Sequence, residues 1–206
     1  MPVAPSPTEI GVDFDGVAWP LVEAIGSLPD CPLLDGERFG YKNCATWDSV
    51  VEIWGPETDI HFAMAKMDEA RGLDYLRRFG LYEGFARALR TFELNGLRPT
   101  ILSHNTDAAL ANVETFLGEQ GIKAPIVAAK PKEKIAWCLE RNAPLIDDAP
   151  ETIHLAHEAG VVATAPRYLY NAEVIDETST PWGRDWSELL PLTLLALGVK
   201  SPAFAG

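Results

Sequence analysis

Basic residues are scarce in this chain. It has 17 Lys and Arg against 30 Asp and Glu, a formal net charge of −13. Phosphate contacts dominate nucleic-acid affinity and need clustered cations, so duplex nucleic acid is excluded as a partner. The acidity reads as a solvated surface. A small anionic substrate fits only where a cation or local basic group offsets the field. Cysteine is scarce too: Cys31, Cys44 and Cys138 are odd in number and form no CxxC pair. That excludes a disulfide framework or zinc knuckle and suits a reducing, cytoplasmic setting. No apolar run approaches the ~18 residues of a membrane-spanning helix. The start, MPVAPSPTEIG, lacks the basic residues and apolar stretch of a signal peptide. No GxGxxG follows the first apolar run and no GxxxxGK[ST] occurs, so dinucleotide and P-loop sites lack support.

What is present suffices for a full core. The 206 residues fit one domain, or one domain carrying an insertion, as monomer or homodimer. Residues 1–8 are Pro-rich and read as a loose tail. Five short apolar runs then read as strands: 9–14 (EIGVDF), 99–103 (PTILS), 124–129 (APIVAA), 144–146 (PLI) and 160–165 (GVVATA). Continuous runs bounded by turn signals suit strands buried on both faces.

The intervening segments have helical spacing. Phe85, Ala88, Leu89 and Phe92 stripe residues 82–95. Leu110, Val113, Phe116 and Leu117 stripe 106–120, with Asn105 or Thr106 as N-cap. Ile135, Ala136 and Leu139 mark 132–141 as a helix with those residues turned inward. Residues 150–159 start on proline and stop before glycine, and 186–197 form a closing helix disturbed at Pro191. Strands alternating with such helices predict an α/β fold, a Rossmann-like three-layer core around a parallel sheet.

One interval breaks the rhythm. Asp15 and Ser103 lie 88 residues apart, whereas one βαβ unit needs about 30. The excess predicts a small helical insertion at 18–82, leaving 1–17 and 83–206 as the core. Within it, Met64, Met67, Ala70, Leu73, Leu76 and Phe79 recur at threes, which predicts one helix over 61–79.

In open parallel sheets, ligands bind beyond the carboxyl ends of the strands. Those ends carry Asp13 and Asp15, then Ser103, a lysine cluster, and Asp147 with Asp148. Two like charges about 4 Å apart repel by about 4 kcal/mol at an effective dielectric of ~20. Four gathered carboxylates therefore need protons, a cation or both, and Mg²⁺ suits an all-oxygen site of this kind. A carboxylate can attack phosphorus to form an aspartyl-phosphate. A second acid must then protonate the leaving oxygen and later deprotonate water, and Asp15 lies on the same side of the strand as Asp13. Ser103 can hydrogen-bond a phosphoryl oxygen, helped by N–H groups at the start of the next helix. His104 and Asn105 directly follow it and are candidate substrate contacts. Lys130, Lys132 and Lys134 compete to balance the phosphoryl charge, and Lys132, at the helix start, is the choice.

DFDGV at 13–17, Ser103 after a strand, a lysine within 130–134 and IDD at 146–148 resemble the four ordered motifs of the haloacid dehalogenase-like (HAD) superfamily. The resemblance implies Asp13 as nucleophile and Asp15 as general acid/base. It implies a Mg²⁺ held by the Asp13 carboxylate, the Asp15 backbone carbonyl and Asp147 or Asp148. It also implies that 18–82 is a cap closing over a small phosphomonoester. IDDAP, RYLYN and WGRDW are similar to 5'(3')-deoxyribonucleotidase-like members, which implies a nucleoside monophosphate substrate, with Trp19 or Trp47 available to stack on a base.

Other assignments compete less well. His154 and His157 resemble a metal pair but lack a third ligand. Response-regulator receivers share the acidic pair, Ser/Thr and Lys, but order them differently and leave no room for the insertion. A non-catalytic phosphate-binding protein of the same fold is opposed by the intact Asp13 and Asp15 pair.

Overall fold

The computed structural model describes residues 7–34, 36–55, 57–199 and 202–205, so most of the expected N-terminal tail lies outside the described residues. Six strands form one sheet: β1 (Glu9–Val12), β2 (Arg98–Ser103), β3 (Ile126–Ala128), β4 (Leu145–Ile146), β5 (Ala163–Pro166) and β6 (Trp182–Gly183). All pairings are parallel, in the order β3-β2-β1-β4-β5-β6. The order reverses between β1 and β4, and such a reversal opens a crevice at the strand ends.

Ten α-helices and a 3-10 turn (Leu169–Asn171) complete the described chain: α1 (Leu21–Gly26), α2 (Ser49–Glu52), α3 (Ile60–Ala70), α4 (Leu73–Phe79), α5 (Phe85–Leu94), α6 (Asp107–Glu119), α7 (Pro131–Arg141), α8 (Pro150–Ala159), α9 (Ala172–Thr178) and α10 (Trp186–Ala196). Alternate strand residues face opposite ways, and this divides the core. Leu102 and Leu145 pack with Ile135 and Cys138 of α7 and Ala156 of α8. Their neighbours Ile101 and Ile146 join Phe85 and Phe92 of α5 and Trp186 and Leu194 of α10. The result is the expected three-layer α/β/α fold. Gly11 in β1 is squeezed between the layers' side chains: a Cβ there would lie 2.7 Å from Leu102.

Thr106, one of the two expected N-caps, caps α6 by accepting the Ala109 N–H. Other expected boundaries shift. The strand β6 was not expected; two residues are too few to show a pattern, and it exists because Gly183 lets the backbone of Leu189 approach. Between β1 and β2 the chain is helical, as the spacing predicted, but 61–79 is not one helix. It breaks at Arg71–Gly72 into α3 and α4, because Gly72 adopts an extended conformation there. Met64 falls outside the buried face, where Ala63, Ala70 and Leu76 sit. Trp19 is fully buried against Phe14 and Phe79.

Candidate functional site

The central strands deliver the acidic residues. The Asp13 N–H donates to the Ile146 carbonyl at 2.8 Å, so the chain leaves β1 and β4 side by side. Asp13, Asp15, Asp147 and Asp148 are all buried there. Carboxylate oxygens of Asp13, Asp147 and Asp148 lie within 4.8 Å of one another, close enough to share a cation. Gly16 follows Asp15 with φ +72°, and a Cβ at that position would stand 1.9 Å from Asp148 Oδ2. Only glycine allows this turn to lie against Asp148.

The lysine at this site is Lys134. Its Nζ lies 2.8 Å from Asp13 Oδ1 and 2.7 Å from Asp147 Oδ2, with the side chain 4% exposed. Lys132, expected here, is exposed, as is Lys130. The error lies in the helix face. Lys134, Ile135 and Cys138 turn inward on α7, while Ala136 and Leu139 face solvent. A buried thiol behaves as a small hydrophobe, so Cys138 belongs to the apolar stripe and Leu139 does not. Lys130 is instead the N-cap of α7, its N–H donating to Glu133 at 2.8 Å.

Ser103, at the end of β2, is buried, and its Oγ accepts from Asn105 Nδ2 at 2.5 Å. The same amide reaches Asp15 Oδ2 at 3.2 Å. His104 is exposed beside them, and its pKa is lowered by partial burial and by the positive charges of Lys134, Lys130 and Arg71.

Four further residues hold the site; none was assigned a role from the sequence, although Tyr168, Tyr170 and Asn171 belong to the RYLYN stretch noted there. Arg71, buried at the break between α3 and α4, donates to Asp15 Oδ2 through Nε at 3.1 Å and Nη2 at 2.8 Å. The sequence signal was the Arg-Gly pair interrupting a helical stripe. Tyr170 donates its hydroxyl to Asp148 Oδ2. Asn171 ties the Asp148 carbonyl to that of Pro166, with bonds of 2.9 Å to each. Tyr168 donates to the Gly16 carbonyl at 2.7 Å and stacks on Tyr41, between α1 and α2, ring centroids 4.1 Å apart.

Burial lifts the Asp13 pKa from 3.8 to about 7; Lys134 opposes this, while Asp147 and Asp15 add to it. Asp148 is pushed well above the usual carboxylate range by burial and by Asp13 and Asp147. Lys134 is pulled down by burial but carried above its ordinary value by Asp13 and Asp147. The donor set is all oxygen and all acidic, and a hard divalent cation fits it. His154 and His157 stay apart from it: both are exposed, and His154 lies 3.3 Å from Glu158.

No family model matches the sequence, and no curated protein does. Solved structures do match. A HAD family hydrolase from Deinococcus radiodurans, with bound phosphate and sodium, has a TM-score of 0.63 at 15% identity, covering 97% of this chain and 100% of that one. A haloacid dehalogenase-like protein from Agrobacterium tumefaciens gives 0.62 at 17% identity, covering 93% and 99%. A predicted phosphoglycolate phosphatase from Haemophilus somnus gives 0.59 at 15% identity, covering 93% and 100%. The chain therefore has the fold of HAD-superfamily hydrolases, with an aspartate cluster at its switch-point crevice.

Proposed function

We propose that this chain hydrolyses phosphomonoesters with Mg²⁺, through an aspartyl-phosphate on Asp13. The observation that carries the reading is a charge imbalance. Four buried carboxylates meet at one crevice, and the buried side-chain cations described there are Lys134 and Arg71. One divalent cation balances the remainder. Asp13 with Asp147 or Asp148, and the Asp15 carbonyl, would hold it. When bound it supplies charge neutralisation between nucleophile and phosphoryl group.

The protein's own groups do the rest. Lys134 holds Asp13 through Oδ1 and offsets the charge that builds on the phosphoryl oxygens. Asp13 attacks phosphorus, forming one P–O bond as the bond to the leaving oxygen breaks. Asp15 gives its proton to that oxygen and later takes one from the water that cleaves the aspartyl-phosphate. Ser103, Asn105 and N–H groups at the start of α6 bind phosphoryl oxygens, with His104 and Lys130 nearby. The insertion at 18–82 acts as a cap that keeps bulk water from the intermediate.

The proposed substrate is a nucleoside monophosphate, with half-buried Trp47, edge-on to Tyr170 at 5.3 Å, beside the base. A smaller phosphorylated metabolite is the second reading. It is favoured because Tyr41, Tyr168 and Tyr170 stack on one another and fill the crevice flank. Phosphate release from nucleoside monophosphates, sugar phosphates and phosphorylated small acids, with Mg²⁺ and with chelator, tests both. Turnover insensitive to chelator, or retained in Asp13→Asn, ends the mechanism; preference outside nucleotides ends only the first substrate.

A further inference from the structure

The two oxygens of Asp15 have unlike surroundings. Oδ2 accepts from Arg71 Nε, Arg71 Nη2 and Asn105 Nδ2. Oδ1 is buried and has no hydrogen-bond partner among the described residues. Arg71 comes from the insertion, 56 residues from Asp15. It is itself fixed: Asp68 Oδ1 lies 3.4 Å from Nη1, and the Arg71 carbonyl accepts from Asn112 Nδ2 of α6 at 3.3 Å. Asp68 in turn accepts from Thr106 at 3.0 Å. A planar guanidinium bound through two nitrogens fixes orientation as well as charge, which an ammonium does not.

We infer that Arg71 is a positioning residue that pins Asp15 Oδ2 and reserves Oδ1 for the leaving-group oxygen. The proton on Oδ1 passes to that oxygen as its bond to phosphorus breaks. The attacking water later returns a proton to the same atom. Because Arg71 belongs to the insertion and is anchored on α6, docking of the insertion and orientation of the acid become one event. The inference rests on the proposed role of Asp15 and adds the residue that makes that role geometrically specific.

The test uses leaving groups that differ in their need for a proton. p-Nitrophenolate departs readily without one; an alkoxide does not. Arg71→Ala should lower kcat/KM for an alkyl phosphate by about 10²-fold or more. In kcat/KM, which ends once the leaving group has departed, p-nitrophenyl phosphate should change far less, whereas kcat also includes the shared hydrolysis of the aspartyl-phosphate and should fall for both. Added guanidinium should restore part of the loss, and Arg71→Lys should fall between. Equal losses in kcat/KM for both leaving groups would overturn the inference and make Arg71 a substrate anchor or a structural tie. If Arg71→Ala does not fold, Arg71→Lys carries the same comparison. Asp15→Asn separates the two layers. If it still hydrolyses the alkyl phosphate, the underlying mechanism fails. If it is inactive while the Arg71 variants show no leaving-group dependence, only the positioning role fails.

Discussion

The ammonium of Lys134 bridges Asp13 and Asp147, joining the carboxyl ends of β1 and β4 at 2.8 and 2.7 Å. Removing one partner of a buried ionic group costs about 3–5 kcal/mol, because it leaves uncompensated charge. Lys134→Met should therefore lower thermal stability markedly at pH 8 and abolish phosphate release. The stability loss should shrink under acid conditions, where Asp13 accepts a proton. Exposed Lys132→Ala should change stability by no more than about 0.5 kcal/mol. Melting curves and turnover of both variants decide which lysine belongs to the site.

The Asp13 pKa sets a pH window. Folding raises it from 3.8 to about 7, so the folded state holds this proton more tightly than the unfolded chain. Its contribution to stability is full below the unfolded value and is lost as pH rises through the folded one. The metal-free protein should accordingly lose stability between about pH 4 and 7. Mg²⁺ competes with the proton, so its stabilising effect should be larger at pH 8 than at pH 5, with protons released on binding. Thermal shifts with Mg²⁺ and with chelator across this range check the sign. A Mg²⁺ effect that grows toward acid would count against carboxylate ligation.

Gly16→Ala combines two penalties. The backbone there has φ +72°, and the new methyl would stand 1.9 Å from Asp148 Oδ2. The strained backbone alone costs about 1–3 kcal/mol, and Asp148 must also move. We expect a lower melting temperature and a weaker Mg²⁺-induced shift. A variant that keeps the full Mg²⁺ shift would show that Asp148 is not the residue holding the ion.

The first five strands were legible because each is a short apolar run punctuated by turn residues, and acidic residues end two of those runs; the two-residue β6 carries no such pattern. Asp13, Asp15, Ser103, Asp147 and Asp148 could be gathered from that pattern alone, since a parallel sheet brings its carboxyl ends together. Lys134 was obscured by the helix face: Leu139 looks like core and Cys138 does not, yet Cys138 is buried and Leu139 is 55% exposed. Arg71 was hidden more deeply. It meets Asp15 from the end of α3, 56 residues along the chain, a contact that local periodicity does not encode. Tyr170 lies after β5, in a segment whose turn carries no acidic or glycine-rich signal, and it reaches Asp148 through the fold alone.

The Tyr170–Asp148 contact leads to a separable prediction. Tyr170 is buried, with one edge toward Trp47 and one face toward Tyr168, and its hydroxyl donates to Asp148 Oδ2. Phenylalanine would keep the ring and remove only that donor. Asp148 would remain tethered through its backbone carbonyl by Asn171, so the fold should survive. Its carboxylate, however, would lose the group that fixes its orientation toward Asp13 and Asp147. Partners of this kind typically account for about 10–100-fold in metal affinity or activity. Tyr170→Phe should therefore raise the Mg²⁺ concentration at half-saturation by about tenfold, while kcat at saturating Mg²⁺ stays near that of the wild type. Titrating Mg²⁺ against both melting temperature and phosphate release separates the cases. Parallel shifts of the two curves mean that Tyr170 orients a metal ligand; an unchanged melting titration with reduced kcat means that it acts on the substrate instead.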